Sequence, residues 1–385
     1  MLSIALAGKP NAGKSTFFAA ATLADVEIAS YPFTTIDANH GVTYVTAKCP
    51  CQELGVDCGN CRDGVRFIPV ALIDVAGLVP EAHLGRGLGN EFLDNLRGAD
   101  AVIQVIDASG ATDLEGKPGR IGEFDPLEEI DFFRREVAMW LFGILKRNWD
   151  RLSRKIQSSK KTEEVIAGQL EGAGVTREDV KAALTHINSD IRNWSDEELI
   201  KLSEALREES MPILLAANKI DLAPPGFLDR LKQKGAQPVC AAAELALRKA
   251  DRAGAIKYTP GTGNFKILKA NEAQHKALLK IKSVLDTFKT TGLQECLNKV
   301  VFDILDMIVV YPVEDENKLT DKKGRILPDA LLLKKGSTPR HLAYQVHTDI
   351  GQGFLYAIDA RTKMRLGEKH QLKDNDVIKI VAVKH

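Results

Sequence analysis

At 385 residues and 44% apolar by composition, the chain is long enough for two or three domains around a sizeable core. Its 52 Lys and Arg balance 52 Asp and Glu, so bulk charge speaks neither for nor against a nucleic-acid partner, and local clusters must decide. Apolar runs are broken by charge well before 18 positions and the opening segment lacks a basic leader; no membrane span or signal peptide is expected, and the expected location is the cytoplasm.

The first predicted element is a buried strand over Leu2 to Ala7, followed by G-K-P-N-A-G-K-S-T from Gly8 to Thr16 and an apparent helix. This is a phosphate-binding loop in the context its mechanism needs. Gly8 and Gly13 allow a tight turn whose amides face phosphate oxygens. Lys14 is expected to reach the β and γ phosphates and Ser15 to bind magnesium, with Asn11, Ala12 and Thr16 completing the phosphate-binding set.

Between a strand that follows Tyr31 to Gly41 and the strand that ends at Asp74 lies C-P-C-x6-C-x2-C, residues Cys49, Cys51, Cys58 and Cys61. Four thiolates within 13 residues fit a structural zinc site, and leave no open position for catalysis by the metal. Two local disulfides and free thiols are the competing readings.

A strand over Phe67 to Ile73 ends in D-V-A-G, Asp74 to Gly77. Asp74 can hold the magnesium shell, and Gly77 lets an amide approach the γ-phosphate. The next residue is Leu78, which has no group to orient a water. His83 either approaches the γ-phosphate on closure or is an exposed or hydrogen-bonded switch residue. Gly85, Gly87 and Gly89 suggest a mobile segment.

After a strand-like run from Ala101, helix formers dominate from about Leu127 to Ser158, then from Thr176 to Ile187 and again from Ser195, where Glu198 completes a capping box. Trp140, Trp149 and Trp194 read as core of this helical insertion. Residues 131–161 carry nine Lys or Arg against three acidic residues, which fits either an RNA- or ribosome-contacting arm or a solvated helix face.

A further strand over Pro212 to Ala217 ends in N-K-I-D, Asn218 to Asp221. The Asp221 carboxylate can accept from both N1 and N2 of guanine, a match adenine cannot return. Asn218 would brace this loop and the stem of Lys219 would cover the ring. Gln237 to Cys240 gives another strand, after which Cys240 and Ala241 match the last base-contacting loop of GTPases or form a plain strand-to-helix junction. From about Asp303 short strands at Met307 to Val310, Leu331 to Leu333, Phe354 to Ala357 and Val377 to Val383 predict a small β-grasp-like α+β module.

With Tyr31 to Gly41 (Y-P-F-T-T-I-D-A-N-H-G) and Asp74 to Asn90, the sequence resembles the YchF branch of the Obg-related GTPases, and Gly336 to Ile350 resembles their TGS domain. The resemblance implies an α/β fold: a Ras-like P-loop GTPase domain (1–124 and 209–302), an inserted helical hairpin (125–208) and a TGS domain (303–385). It makes Thr35, with Thr34 as alternative, the switch threonine on magnesium, and Asn11 a ligand for potassium near the phosphates or else a loop brace. Lys14, Thr35, Gly77 and Asn11 are then the catalytic set. Typical members of the branch have lost N-K-x-D and prefer ATP; retention of Asn218, Lys219 and Asp221 resembles the archaeal and eukaryotic subgroup and favours GTP.

The implied function is a slow GTPase switch, stimulated by a partner or potassium, acting on ribosomes, tRNA or rRNA. A protein partner could dock through the TGS domain, whose Lys322, Lys323, Arg325, Lys334, Lys335 and Arg340 also suit RNA. A monomer is expected. An ATPase of the same branch and a nucleotide-gated RNA- or ribosome-binding scaffold with negligible turnover are the alternatives.

Overall fold

Strand β1 (Ser3–Ala7) is buried from Ile4 to Ala7, as an unbroken apolar run requires when both sheet faces are covered. It joins β2 (His40–Lys48), β3 (Cys61–Arg62), β4 (Val65–Asp74), β5 (Ala101–Asp107), β6 (Ile213–Asn218) and β7 (Gln237–Pro238) in a seven-stranded sheet. The order is β2-β4-β1-β5-β6-β7, with β3 as a short antiparallel partner of β4. The β4-β1-β5-β6-β7 pairings are parallel. The computed structural model describes residues 1–23, 39–85, 96, 98–159, 161–187 and 194–383. These form two units: one of Met1–Leu23, the first residues of β2 and Ala71–Cys296, the other of Thr43–Val70 and the chain from Leu297 onward.

In the first unit α1 (Lys14–Thr22) follows the phosphate loop. The helical stretch predicted from Leu127 to Ser158 is two helices, α2 (Leu127–Lys146) and α3 (Trp149–Ser159). At the break Asn148 accepts the amides of Arg151 and Leu152, restarting the helix and turning Trp149 into the core. There it stacks on Trp194, rings 5.6 Å apart and 5° from parallel. Three more helices complete the insertion: α4 (Thr162–Leu170), α5 (Arg177–Leu184) and α6 (Asp196–Ser210). The Ser195–Glu198 capping box is present at the start of α6. Leu141, Leu145, Leu152, Ile166, Leu199, Leu202 and Leu206 form the shared core of the insertion.

Next come α7 (Pro225–Gln233), α8 (Ala241–Arg252), the hairpin β8 (Ile256–Tyr258) and β9 (Phe265–Ile267), and α9 (Glu272–Phe288). Strand β7 stops at Pro238, short of the predicted Cys240, because the Cys240 amide donates to Thr291 O at 2.8 Å and the chain turns into α8.

The second unit takes in α10 (Leu293–Asn298) from Leu297 on and a five-stranded sheet. Its strands are β10 (Met307–Val313), β11 (Leu331–Lys334), β12 (Phe354–Asp359), β13 (Arg365–Leu366) and β14 (Asp376–Ala382), in the order β11-β10-β14-β12-β13. Only β10 and β14 pair in parallel. Leu342 and Ala343 of α11 (Pro339–Val346) are buried, Leu342 within the core beneath the helix, and α12 (Thr348–Gln352) leads into β12. This is the mixed sheet and helix of a β-grasp-like module, as expected for the C-terminal region. Among the described residues, no helix is long and apolar enough to cross a membrane.

Candidate nucleotide site

Three parallel strands of the first unit, two of them flanking β1, end in polar residues: Asp74 on β4, Asp107 on β5 and Asn218 on β6. Asp74 is in register with Leu6, just before the phosphate loop, and Asp107 with Asn218. The carboxyl ends of such strands form the crevice where open α/β sheets take ligands.

The loop from Gly8 to Thr16 is tied down on every side. Lys14 is buried and donates to Gly8 O (3.1 Å) and Lys9 O (2.9 Å), and its burial lowers its pKa to about 8 against the opposing charges of Asp74 and Glu129. The Ser15 hydroxyl donates to Asp74 Oδ2 at 3.2 Å, while the buried Asp74 Oδ1 has no hydrogen-bond partner. Burial pushes the Asp74 carboxyl up, with Ser15 and Lys14 opposing. A hydroxyl and a carboxylate with an unsatisfied oxygen are donors of the kind magnesium takes. Asn11, at φ 61, donates its side-chain amide to Gly116 O (2.8 Å), the loop-bracing geometry.

Asn218 joins the loop before α1 to the start of α8. Its amide donates to Ala12 O (3.0 Å) and its Oδ1 accepts the Ala241 amide (3.1 Å). Gly13 faces this side chain: at φ 98, a Cβ on it would lie 2.3 Å from Asn218 Nδ2, so only glycine fits. Lys219 Nζ reaches Asn11 O (2.7 Å) and Asp107 Oδ2 (2.8 Å). Burial alone would raise the Asp107 carboxyl, but the bond from Lys219 and those from Ser109 and Thr112 hold it below the usual range.

Just before α8 the Cys240 thiol donates to Asp221 Oδ1 (3.3 Å); burial pushes that thiol up to about 12, so it stays protonated. Asp221 and Cys240 open on a cavity of about 630 Å³ whose far wall is α9, with Lys280, Ser283, Thr287 and Phe288. That volume suits a small-molecule ligand. The α9 wall was not predicted; its exposed polar positions carry no motif.

Nor were Lys9 and Glu129 singled out. Lys9 Nζ lies 2.9 Å from Glu129 Oε1 and also donates to Thr112 O; both side chains are almost wholly buried. Glu129 Oε2 accepts the Asp107 amide at 3.2 Å.

In the D-V-A-G segment, Gly77 abuts Pro10, whose Cγ would be 2.8 Å from a Cβ there. The Leu78 amide donates to Gly8 O (3.0 Å), and its side chain is buried in a core with Ala5, Ile73, Val75 and Val137. Position 78 thus faces inward. We expect Leu78→Gln to cost roughly 1–3 kcal/mol, the penalty of a buried unsatisfied amide, and to leave hydrolysis no faster. Thermal melting and phosphate release measure the two effects; faster turnover would show that a side chain at 78 can reach the nucleotide.

His83 is held from α2. Its Nδ1 lies 2.7 Å from Glu136 Oε2, which also accepts the His83 amide (3.1 Å), while Glu136 Oε1 accepts the Glu81 amide (2.9 Å). Of the two sequence readings, this is the hydrogen-bonded one. Thr34, Thr35, Gly87 and Gly89 lie outside the described residues.

In the second unit, Cys49, Cys51, Cys58 and Cys61 come together with all four sulfurs within 4.8 Å of one another. All four are free thiols. Of the basic residues proposed on the C-terminal module, Lys322 pairs with Glu314, Arg325 with Asp321, Lys335 with Asp306 and Arg340 with Glu368, which neutralises much of that charge locally.

Known proteins match the chain along almost its whole length. Residues 3–133 match a family described as 50S ribosome-binding GTPase, 216–315 the G4 motif-containing domain of YGR210-like Obg-like GTPases, and 319–382 the TGS domain. An uncharacterized GTP-binding protein of Methanocaldococcus jannaschii is 49% identical, over 99% of each chain. A ribosome-binding ATPase YchF of Haemophilus influenzae is 28% identical over 67% of this chain and 70% of its own. The crystal structure of a GTP binding protein from Pyrococcus horikoshii superposes with a TM-score of 0.78 at 43% identity, covering 99% of this chain and 100% of the other.

Proposed function

Since the chain belongs to the YchF-like branch of the Obg-related P-loop GTPases and carries a TGS domain, we propose that it binds GTP with magnesium, hydrolyses it slowly, and uses the two states to change how it meets a ribosomal partner. The observation that carries the guanine reading is the base loop: Asp221 held by the Cys240 thiol at the mouth of the cavity, and Asn218 bonded to both Ala12 and Ala241.

Lys14 and the amides from Gly8 to Thr16 would cradle the phosphates. Magnesium, which neutralises charge on the β and γ phosphates, would be held by Ser15 and Asp74, with Thr35 or Thr34 as the switch ligand. Gly77 would offer an amide to the γ-phosphate, and Asn11 a side-chain oxygen to potassium. With Leu78 turned inward, the position directly after Gly77 offers no side chain to orient water, which supports slow intrinsic turnover.

The ribosomal reading rests on the family description and on the Haemophilus relative's name. Exposed Lys146, Arg147, Arg151, Arg154 and Lys155 add a basic face around the start of α3, opposite buried Trp149, Leu152 and Ile156. RNA or a ribosomal protein could meet this face or the TGS module. A cytoplasmic monomer belongs to the same proposal.

The second reading is an ATPase or a nucleotide-gated scaffold of the same branch. The Haemophilus relative's name favours the ATPase, although that protein is the more distant one. Equilibrium binding of GTP against ATP decides the base. Co-sedimentation with ribosomes in GDP and in a non-hydrolysable GTP analogue decides the switch: we expect tighter association in one state, and equal association would remove it.

A further inference from the structure

We propose that Cys49, Cys51, Cys58 and Cys61 bind one zinc ion as four thiolates, and that the buried Arg66 guanidinium is the counter-charge of this centre. The sequence spacing alone left zinc, disulfides and free thiols open; the arrangement of the side chains separates them.

The four sulfurs lie within 4.8 Å of one another, with Cys49–Cys58 at 3.8 Å and Cys51–Cys61 at 3.6 Å. Tetrahedral zinc with sulfur at 2.3 Å sets its ligands about 3.8 Å apart, so one ion fits with small adjustment. A polynuclear iron–sulfur cluster sits between its cysteines and needs them farther apart. Cys49, Cys51 and Cys58 are buried, and the Asn60 amide already points at Cys58 Sγ (3.4 Å).

The second observation is Arg66, 2% exposed. It is the cross-strand partner of Cys61 in the β3–β4 pair, so its side chain leaves the same face as that thiol. Nη2 donates to Pro328 O at 2.6 Å and the guanidinium lies 5.9 Å from the centre of the Tyr311 ring. Its Nε and Nη1 have no hydrogen-bond partner. A buried guanidinium bonded only to a carbonyl is costly unless compensating charge is near. Four thiolates on a divalent ion carry a net charge of −2, and a neighbouring cation offsets half of it. Zinc and Arg66 each supply what the other's site lacks.

The arrangement also gives the metal a task. Arg66 reaches Pro328 O and Asn60 Nδ2 reaches Ile326 O (3.3 Å). A zinc-closed loop would thus hold the segment before β11 in place within the second unit.

The test uses the full chain. Metal analysis after purification under reducing conditions should give one zinc per chain; iron, or no metal taken up from a zinc-containing buffer, overturns the site. Titration of the metal-free chain with cobalt(II) should give the absorption of a tetrahedral thiolate complex. Arg66→Met should raise the cobalt concentration at half-saturation about 10–100-fold, the range for a residue that tunes a metal from outside its ligands. Arg66→Lys, which keeps the charge, should fall between and is the fallback should Arg66→Met fail to fold; unchanged affinity in the variants overturns the counter-charge. Chelation should speed hydrogen exchange at 49–64 and around Leu327, and equal exchange would remove the pinning role.

Discussion

Asp221→Asn is expected to lower GTP affinity by about 10²-fold or more, to leave ATP affinity nearly unchanged, and to raise affinity for xanthosine triphosphate. A hydrogen bond to a charged group is worth roughly 1.5–3 kcal/mol, and two of them are lost together. Xanthine replaces the 2-amino donor of guanine with an oxygen acceptor, which an asparagine amide can meet. The Cys240 thiol would still find an oxygen at position 221, so the loop should keep its shape and the change should be confined to the base. Competition between the three triphosphates measures it. An unaltered ratio of GTP to ATP affinity would move the chain to the ATPase reading.

Glu129→Ala should be the most damaging single change to the stability of the nucleotide-binding unit, at about 3–5 kcal/mol, the range for breaking a buried ion pair from one side. Lys9 is 3% exposed and would keep only Thr112 O, while the Asp107 amide would lose its acceptor. For a unit of this size, that is roughly 6–20 °C in thermal midpoint. Burial pushes the Glu129 carboxyl up to about 7, with Lys9 opposing. A carboxyl raised above its unfolded value of about 4.3 contributes stability that is complete below that value and lost as pH rises through 7. Glu129→Gln should flatten that slope. A drop under 1 kcal/mol for Glu129→Ala would mean that water reaches Lys9.

What the sequence made legible was local. The phosphate loop, Asp74 and Asn218 each stand at the end of an apolar strand and within a motif a few residues long, so spacing alone places them. Asp107 ends a strand in the same way, beside Asn218 in register, yet no short motif surrounds it and it was passed over. Lys9 and Glu129 are 120 residues apart, and Glu129 opens a helix whose pattern reads as part of the insertion. The split at Asn148 was hidden because Arg147 and Asn148 interrupt no apolar periodicity. For the cysteines, the four closely spaced thiols were readable in the sequence, but not which of the three readings applies. The buried Arg66 was not readable, since it stands just before the strand predicted from Phe67 and within no motif.

Asn218 has a thermodynamic consequence. One carboxamide is bonded to the loop that would hold phosphates and to the loop that would read the base. The two halves of the ligand therefore cannot be scored independently. A base without phosphates, or phosphates without a base, would each have to order the same side chain alone, so the whole nucleotide should bind more tightly than the product of its fragments implies. Selectivity is then a property of that coupling as much as of the base contacts themselves.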